Sequence, residues 1–106
     1  MDSRIVIVAY KPKPGMESQL KALTLDHYPK LKEQGLVTDR MPIIMQSQDG
    51  TIIEVFEWNS SEAIQQAHTN KAVGQMWVEF SKVCDYIPIG QVTESSNLFA
   101  DYSPII

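Results

Sequence analysis

Apolar and polar positions alternate at the start of the chain and then change period. From Arg4 to Tyr10, Ile5, Ile7 and Ala9 point one way, while Val6, Val8 and Tyr10 point the other, which predicts a strand apolar on both faces. Pro12 and Pro14 end it. From about Met16 to Gln34 the period is helical, with Met16, Leu20, Leu23, His27 and Leu31 on one face. Pro29 removes a backbone donor inside this stretch and predicts a kink or break near His27–Tyr28, and Gly35 is placed to end the helix. Leu36 to Gln46 should hold a second strand, bulged near Arg40–Pro42, where proline favours an edge.

Asp49-Gly50 lies between two apolar runs and signals a hairpin turn. The strand after it, Thr51 to Trp58, carries Ile52, Phe56 and Trp58 on one face with Glu54 among them. Ile53, Val55 and Glu57 lie on the other. Asn59 and Glu62 form a capping-box-like start for a helix over Ser60 to His68. Thr69-Asn70 breaks or recaps it. A second segment starts near Lys71, where Val73, Met76, Trp77, Phe80, Val83, Cys84 and Ile87 make a wide apolar stripe that Pro88 and Gly90 stop. After a polar connection, Leu98 to Tyr102 is expected as the last short strand.

This order, β-α-β-β-α-β, predicts a ferredoxin-like α+β sandwich, with an antiparallel sheet, helices on one face, and the first and third strands central. Residues 1–106 should form a single domain. Two helices cover one sheet face only. The other would leave strand-one aliphatics, Ile53 and Val55 in water, each forfeiting roughly 1.5–3 kcal/mol of burial. Face-to-face pairing of two sheets in a homodimer with a barrel-like interior closes that gap; a curled sheet with the tail folded under is the alternative.

Composition narrows the classes. The chain has 106 residues, 43% of them hydrophobic and 21% charged, as expected of an ordinary globular chain. A net charge of −4 argues against nucleic acid as a partner. No apolar run is long enough to span a membrane, and the N-terminus reads as a strand rather than a leader. Cys84 is the only cysteine, which fits a reducing, cytoplasmic setting, and it reads as a buried thiol rather than a nucleophile.

Two histidines carry the candidate chemistry. His68 falls four residues after Ile64, on the inward side of its helix, where it could act as a general base on a phenol or hydroquinone. Alternatively, it could simply hydrogen-bond a backbone carbonyl or the kinked Thr69-Asn70 turn. His27 lies beside the proline kink, whose freed carbonyl could hold its ring; if both histidines lined one cavity, they would be base and orienting partner. Their spacing does not suit a metal site. Trp58, Trp77, Phe80, Tyr10 and Tyr28 could wall a pocket for a planar ligand, or simply be core. No phosphate loop or nucleophile elbow is present.

At Trp58-Asn-Ser-Ser-Glu-Ala-Ile and Ala67-His-Thr-Asn-Lys-Ala-Val, and in the tail Phe99-Ala-Asp-Tyr-Ser-Pro, the chain resembles the antibiotic biosynthesis monooxygenase-like family. The resemblance implies a dimeric α+β barrel. It also implies a monooxygenase acting on a small aromatic or quinol-type compound without metal or flavin, because the substrate's own anion reacts with oxygen. Heme-degrading members of the superfamily place an asparagine on strand one, and a tryptophan and a ligating histidine on the second helix. Those positions fall here near Val8 and on Ala67 and Trp77, so heme degradation is not implied. A non-catalytic binding module on the same scaffold is the competing expectation.

Overall fold

The computed structural model describes residues 2–106. Five strands form one antiparallel sheet: β1 (Arg4–Pro12), β2 (Ile43–Gln46), β3 (Ile52–Trp58), β4 (Cys84–Ile87) and β5 (Ser103–Pro104), in the order β4-β1-β3-β2-β5. Among these residues three α-helices, α1 (Glu17–Glu33), α2 (Ser61–Thr69) and α3 (Lys71–Val83), complete a β-α-β-β-α-α-β succession with a terminal strand. The first four strands are arranged in a ferredoxin-like manner, with β1 and β3 central. The residues that are apolar on both faces therefore occupy the positions where both faces can be covered.

Local chemistry accounts for the boundaries. Gly35 adopts φ +71°, its N–H bonds the Lys32 carbonyl, and the Leu36 N–H reaches back to Leu31, a Schellman stop that brings two buried leucines together. In the β2–β3 turn Gly50 takes φ +94°, while the Asp49 carboxylate accepts from the Thr51 N–H. Ser60, rather than Asn59, caps α2: its hydroxyl accepts from the Ala63 N–H. Asn59 instead donates to the Gly35 carbonyl, tying β3's end to the stop of α1. Asn70 starts α3 by accepting from the Val73 N–H, so the chain is recapped after α2.

Three further expectations are corrected. Helix α1 runs unbroken through Pro29, which faces solvent. The second strand is confined to Ile43–Gln46; Arg40–Pro42 interrupts it, leaving only an isolated Val37–Trp58 bridge before it. Most consequentially, the fourth strand is Cys84–Ile87, not Leu98–Tyr102. Val83, Cys84 and Ile87 suit the stripe of a helix, but Cys84 turns extended and Cys84–Ile87 pair with Ala9–Pro12 of β1. Hydrogen bonds to a central strand override the helical period. Leu98 and Phe99 lie exposed outside any strand.

The main core lies between the sheet and the helices, where Tyr10, Ile52, Phe56 and Trp58 meet Leu20, Leu31, Val73, Met76 and Phe80. On the opposite sheet face a smaller cluster forms as Val92, Ile89 and Tyr102 of the tail cover Ala9 and Ile53. That cover is partial. Ile7, Val55 and Ile43 stand in register across β1, β3 and β2, and Ile5, Ile7 and Ile43 are each more than half exposed. Among the described residues no helix is long and apolar enough to cross a membrane.

Candidate functional site

Glu54 sits in the middle of the central strand β3, on the face that carries Ile52, Phe56 and Trp58, and its exposure is 0%. A carboxylate cannot be buried there without partners. Two are supplied from different elements. Tyr10 of β1 pairs with Ile52, which makes it a diagonal neighbour of Glu54, and its hydroxyl donates to Glu54 Oε1 at 2.6 Å. His27, on the inward stripe of α1, brings Nδ1 to the same oxygen at 2.8 Å. The other oxygen, Oε2, is buried with no protein partner.

The tautomer of His27 follows from the group beyond it. Trp77 Nε1 lies 3.2 Å from His27 Nε2. An indole nitrogen only donates, so Nε2 must accept and the ring proton must sit on Nδ1, aimed at Glu54. The result is a chain running Trp77 to His27 to Glu54, with Tyr10 as a second donor to the same carboxylate. A carboxylate bonded to Nδ1–H holds the imidazole in orientation and stabilises positive charge when Nε2 takes a proton. Phe56 and Phe80 stand edge-on to the imidazole at 5.5 and 5.2 Å between ring centres and fix its plane.

This chain underlies a cavity of about 330 Å³ lined by Val6, Val8, Tyr10, His27, Phe56, Trp58, Trp77 and Tyr86. The volume is at the small end of the range for ligand pockets, about 300–1,000 Å³, enough for a compact ring system. None of these lining residues is Lys or Arg. Burial, and then the charge of Glu54, raise the Tyr10 hydroxyl well above the usual tyrosine value. Burial, then Cys84 and Glu54, push Tyr86 up to about 12. Both therefore remain phenols, able to donate, at neutral pH.

Of the residues expected at a site, the structure brings together Tyr10, His27, Trp58 and Trp77 at the cavity and sets Phe80 directly behind Tyr10 and His27. Two lie elsewhere. His68 is exposed rather than inward, its ring centre 5.5 Å from that of Trp77, and it is not among the residues that line the cavity. Ala63 and Ala67 occupy the buried face of α2 instead. Tyr28 is buried but donates to the Thr38 carbonyl, outside the lining set. The two histidines thus do not line one cavity, and His27 binds side chains rather than a carbonyl freed by Pro29. Glu54 and Tyr86 are site residues beyond those the sequence pattern singles out. Glu54 announces itself as the one acid on an otherwise apolar strand face; Tyr86 depends on β4, which the helical period concealed.

Cys84 is buried, its thiol directed to the Phe80 carbonyl at 3.2 Å and pushed up to about 11, chiefly by burial. It is a structural thiol. Among the described residues no group of three or more His, Cys, Asp or Glu side chains could hold a metal ion. No protein-family model and no curated protein sequence matches this chain.

Proposed function

We propose that this protein is a cofactor-independent, monooxygenase-like enzyme for a small aromatic or quinol-type compound, with the His27–Glu54 pair as its base. The observation that carries this reading is the junction of a carboxylate-oriented imidazole with an aromatic-walled cavity. The reaction balances without an added reductant. His27 Nε2 takes the proton of a phenolic hydroxyl, the resulting anion gives an electron to O₂, and the radical pair joins in a carbon–oxygen bond. The peroxide then loses water, leaving a quinone carbonyl. One oxygen atom enters the ring; the other leaves as water with the ring hydrogen and the phenolic hydrogen. Glu54 offsets the imidazolium charge.

Oxygen uptake in air with a panel of phenols, naphthols and hydroquinones tests the proposal. His27→Gln should lower turnover by about 100-fold or more, the usual contribution of a positioned general base. His68→Ala, outside the cavity, should retain it. Equal loss in both variants, or no uptake with any member of the panel, would remove the enzyme reading.

A non-catalytic binding module has one observation in its favour: both ring nitrogens of His27 already have protein partners, as in a purely structural histidine. Binding without turnover is its signature.

The scaffold is proposed to act as a homodimer through the uncovered sheet face, forming a dimeric α+β barrel. The exposed Ile5, Ile7 and Ile43 support this, since a contiguous apolar strip on a sheet face marks an interface.

A further inference from the structure

The lone pair that a base at His27 would use is occupied. Trp77 donates its indole N–H to Nε2, while the indole itself is half-buried and forms part of the cavity wall. A hydroxyl can reach Nε2 only if that indole turns aside. The helix carrying it is open at Gly74. A helical side chain leans back over the residues three and four positions earlier, which for Trp77 are Gly74 and Val73. A methyl group added at Gly74 would meet nothing within 4 Å apart from the helix's own backbone and chain neighbours. Gly74 also has no positive φ. Packing in this conformation therefore gives no reason for glycine at an interior helical position, where alanine is favoured. Space for a second position of the indole does give one.

We propose that Trp77 guards the dyad. Its indole N–H and a ligand hydroxyl compete for the lone pair on His27 Nε2, and Gly74 leaves the room into which the indole turns. Trp77 is in this sense a positioning and specificity residue. It yields only to a ligand that returns a hydrogen bond to Nε2. A ring without a donor gains nothing to offset the broken bond. A carboxylate offers no proton, and the cavity has no cation to receive it while Glu54 lies beneath. The ligand class is thus a neutral planar aromatic bearing a free hydroxyl. This inference rests on the cavity being the functional site, but not on any turnover there.

The test uses three probes under argon, 2-naphthol, its methyl ether and 2-naphthoate, with affinities measured by calorimetry on the full chain. Naphthol should bind at least about fivefold more tightly than either analogue, the worth of one net hydrogen bond. On naphthol addition the Trp77 indole N–H resonance should move as it loses its acceptor. Trp77→Phe keeps a ring in the wall but deletes the competing donor, and should tighten naphthol binding about fivefold without affecting the ether in the same sense. Gly74→Ala should stabilise the fold yet slow and weaken naphthol binding, whereas a structural glycine would change stability alone. The proposal is overturned if naphthol fails to bind or binds no better than its ether. It is equally overturned if the indole resonance stays put, or if Gly74→Ala leaves naphthol binding unaltered. Hydroxyl-dependent binding with no oxygen uptake in air would keep the guard and remove the oxygenase.

Discussion

Glu54 has two carboxylate oxygens in different surroundings: Oε1 accepts from Tyr10 and His27, and Oε2 has no protein partner. Glu54→Gln can keep the accepting oxygen where it is, so the fold should lose no more than about 1 kcal/mol. Its charge is gone, however, and turnover should fall by about 100-fold if the dyad is a base. Glu54→Ala leaves the Tyr10 hydroxyl and the His27 N–H buried without an acceptor, at about 1–3 kcal/mol each. Urea denaturation of the two variants, beside oxygen uptake for the glutamine variant, separates the structural role from the chemical one. If both variants unfold alike, the hydrogen-bond account of Glu54 fails.

Among the elements, α2 and β4 show how far local pattern reaches. The apolar periods of β1, α1 and β3 place those elements correctly because each has one repeat and ends at a strong signal. Helix α2 starts one residue later than expected, and its cap is Ser60, since Asn59 is taken up by the Gly35 carbonyl, a contact distant in sequence. Ser60→Ala should cost about 1 kcal/mol in thermal or urea unfolding, and Asn59→Ala clearly less. Cys84–Ile87 fits two periods at once, and only its pairing with β1 decides between them. That pairing sets Tyr86 opposite Tyr10 and at the cavity, so the strand masked by the helical period carries a site residue. The inward position of His27 was legible from its stripe; the outward position of His68 was not, because the buried pair of α2 is Ala63 and Ala67, one position before Ile64 and His68. The dyad needed residues 27 positions apart in the chain to meet, and no spacing rule anticipates that.

For the whole molecule, two properties can be measured without knowing any ligand. Cys84 and Tyr86 have values raised to about 11 and about 12, and Tyr10 is raised also. Acids raised on folding hold their proton more tightly in the native state. Their contribution is therefore complete below the unfolded values of 9.0 and 10.0 and is lost as pH climbs toward 11 and 12. The urea midpoint should be steady from pH 7 to 8.5 and fall steeply above about 9.5; a flat profile to pH 11 would contradict the burial of Cys84 and Tyr10. The proposed pairing through the sheet is tested by Ile7→Lys, which puts a charge in the middle of the exposed strip. Sedimentation should give a dimer for the parent chain and a monomer for the variant, with the helical signal unchanged.

The last four residues have a role that reaches beyond their size. Ser103–Pro104 pair with Met45 and Gln46, and both Ile105 and Ile106 donate to the Ile44 carbonyl while the Ile44 N–H returns a bond to Ile106. They are a selvedge, finishing a cloth that would otherwise fray outward. Stripped of it, Ile43–Gln46 would offer free amides and carbonyls on a short apolar strand, a template for any extended chain that arrives. A protein cut after Tyr102 should therefore keep its pocket and its helices but clump on concentration, seen as rising light scattering that the full chain does not show.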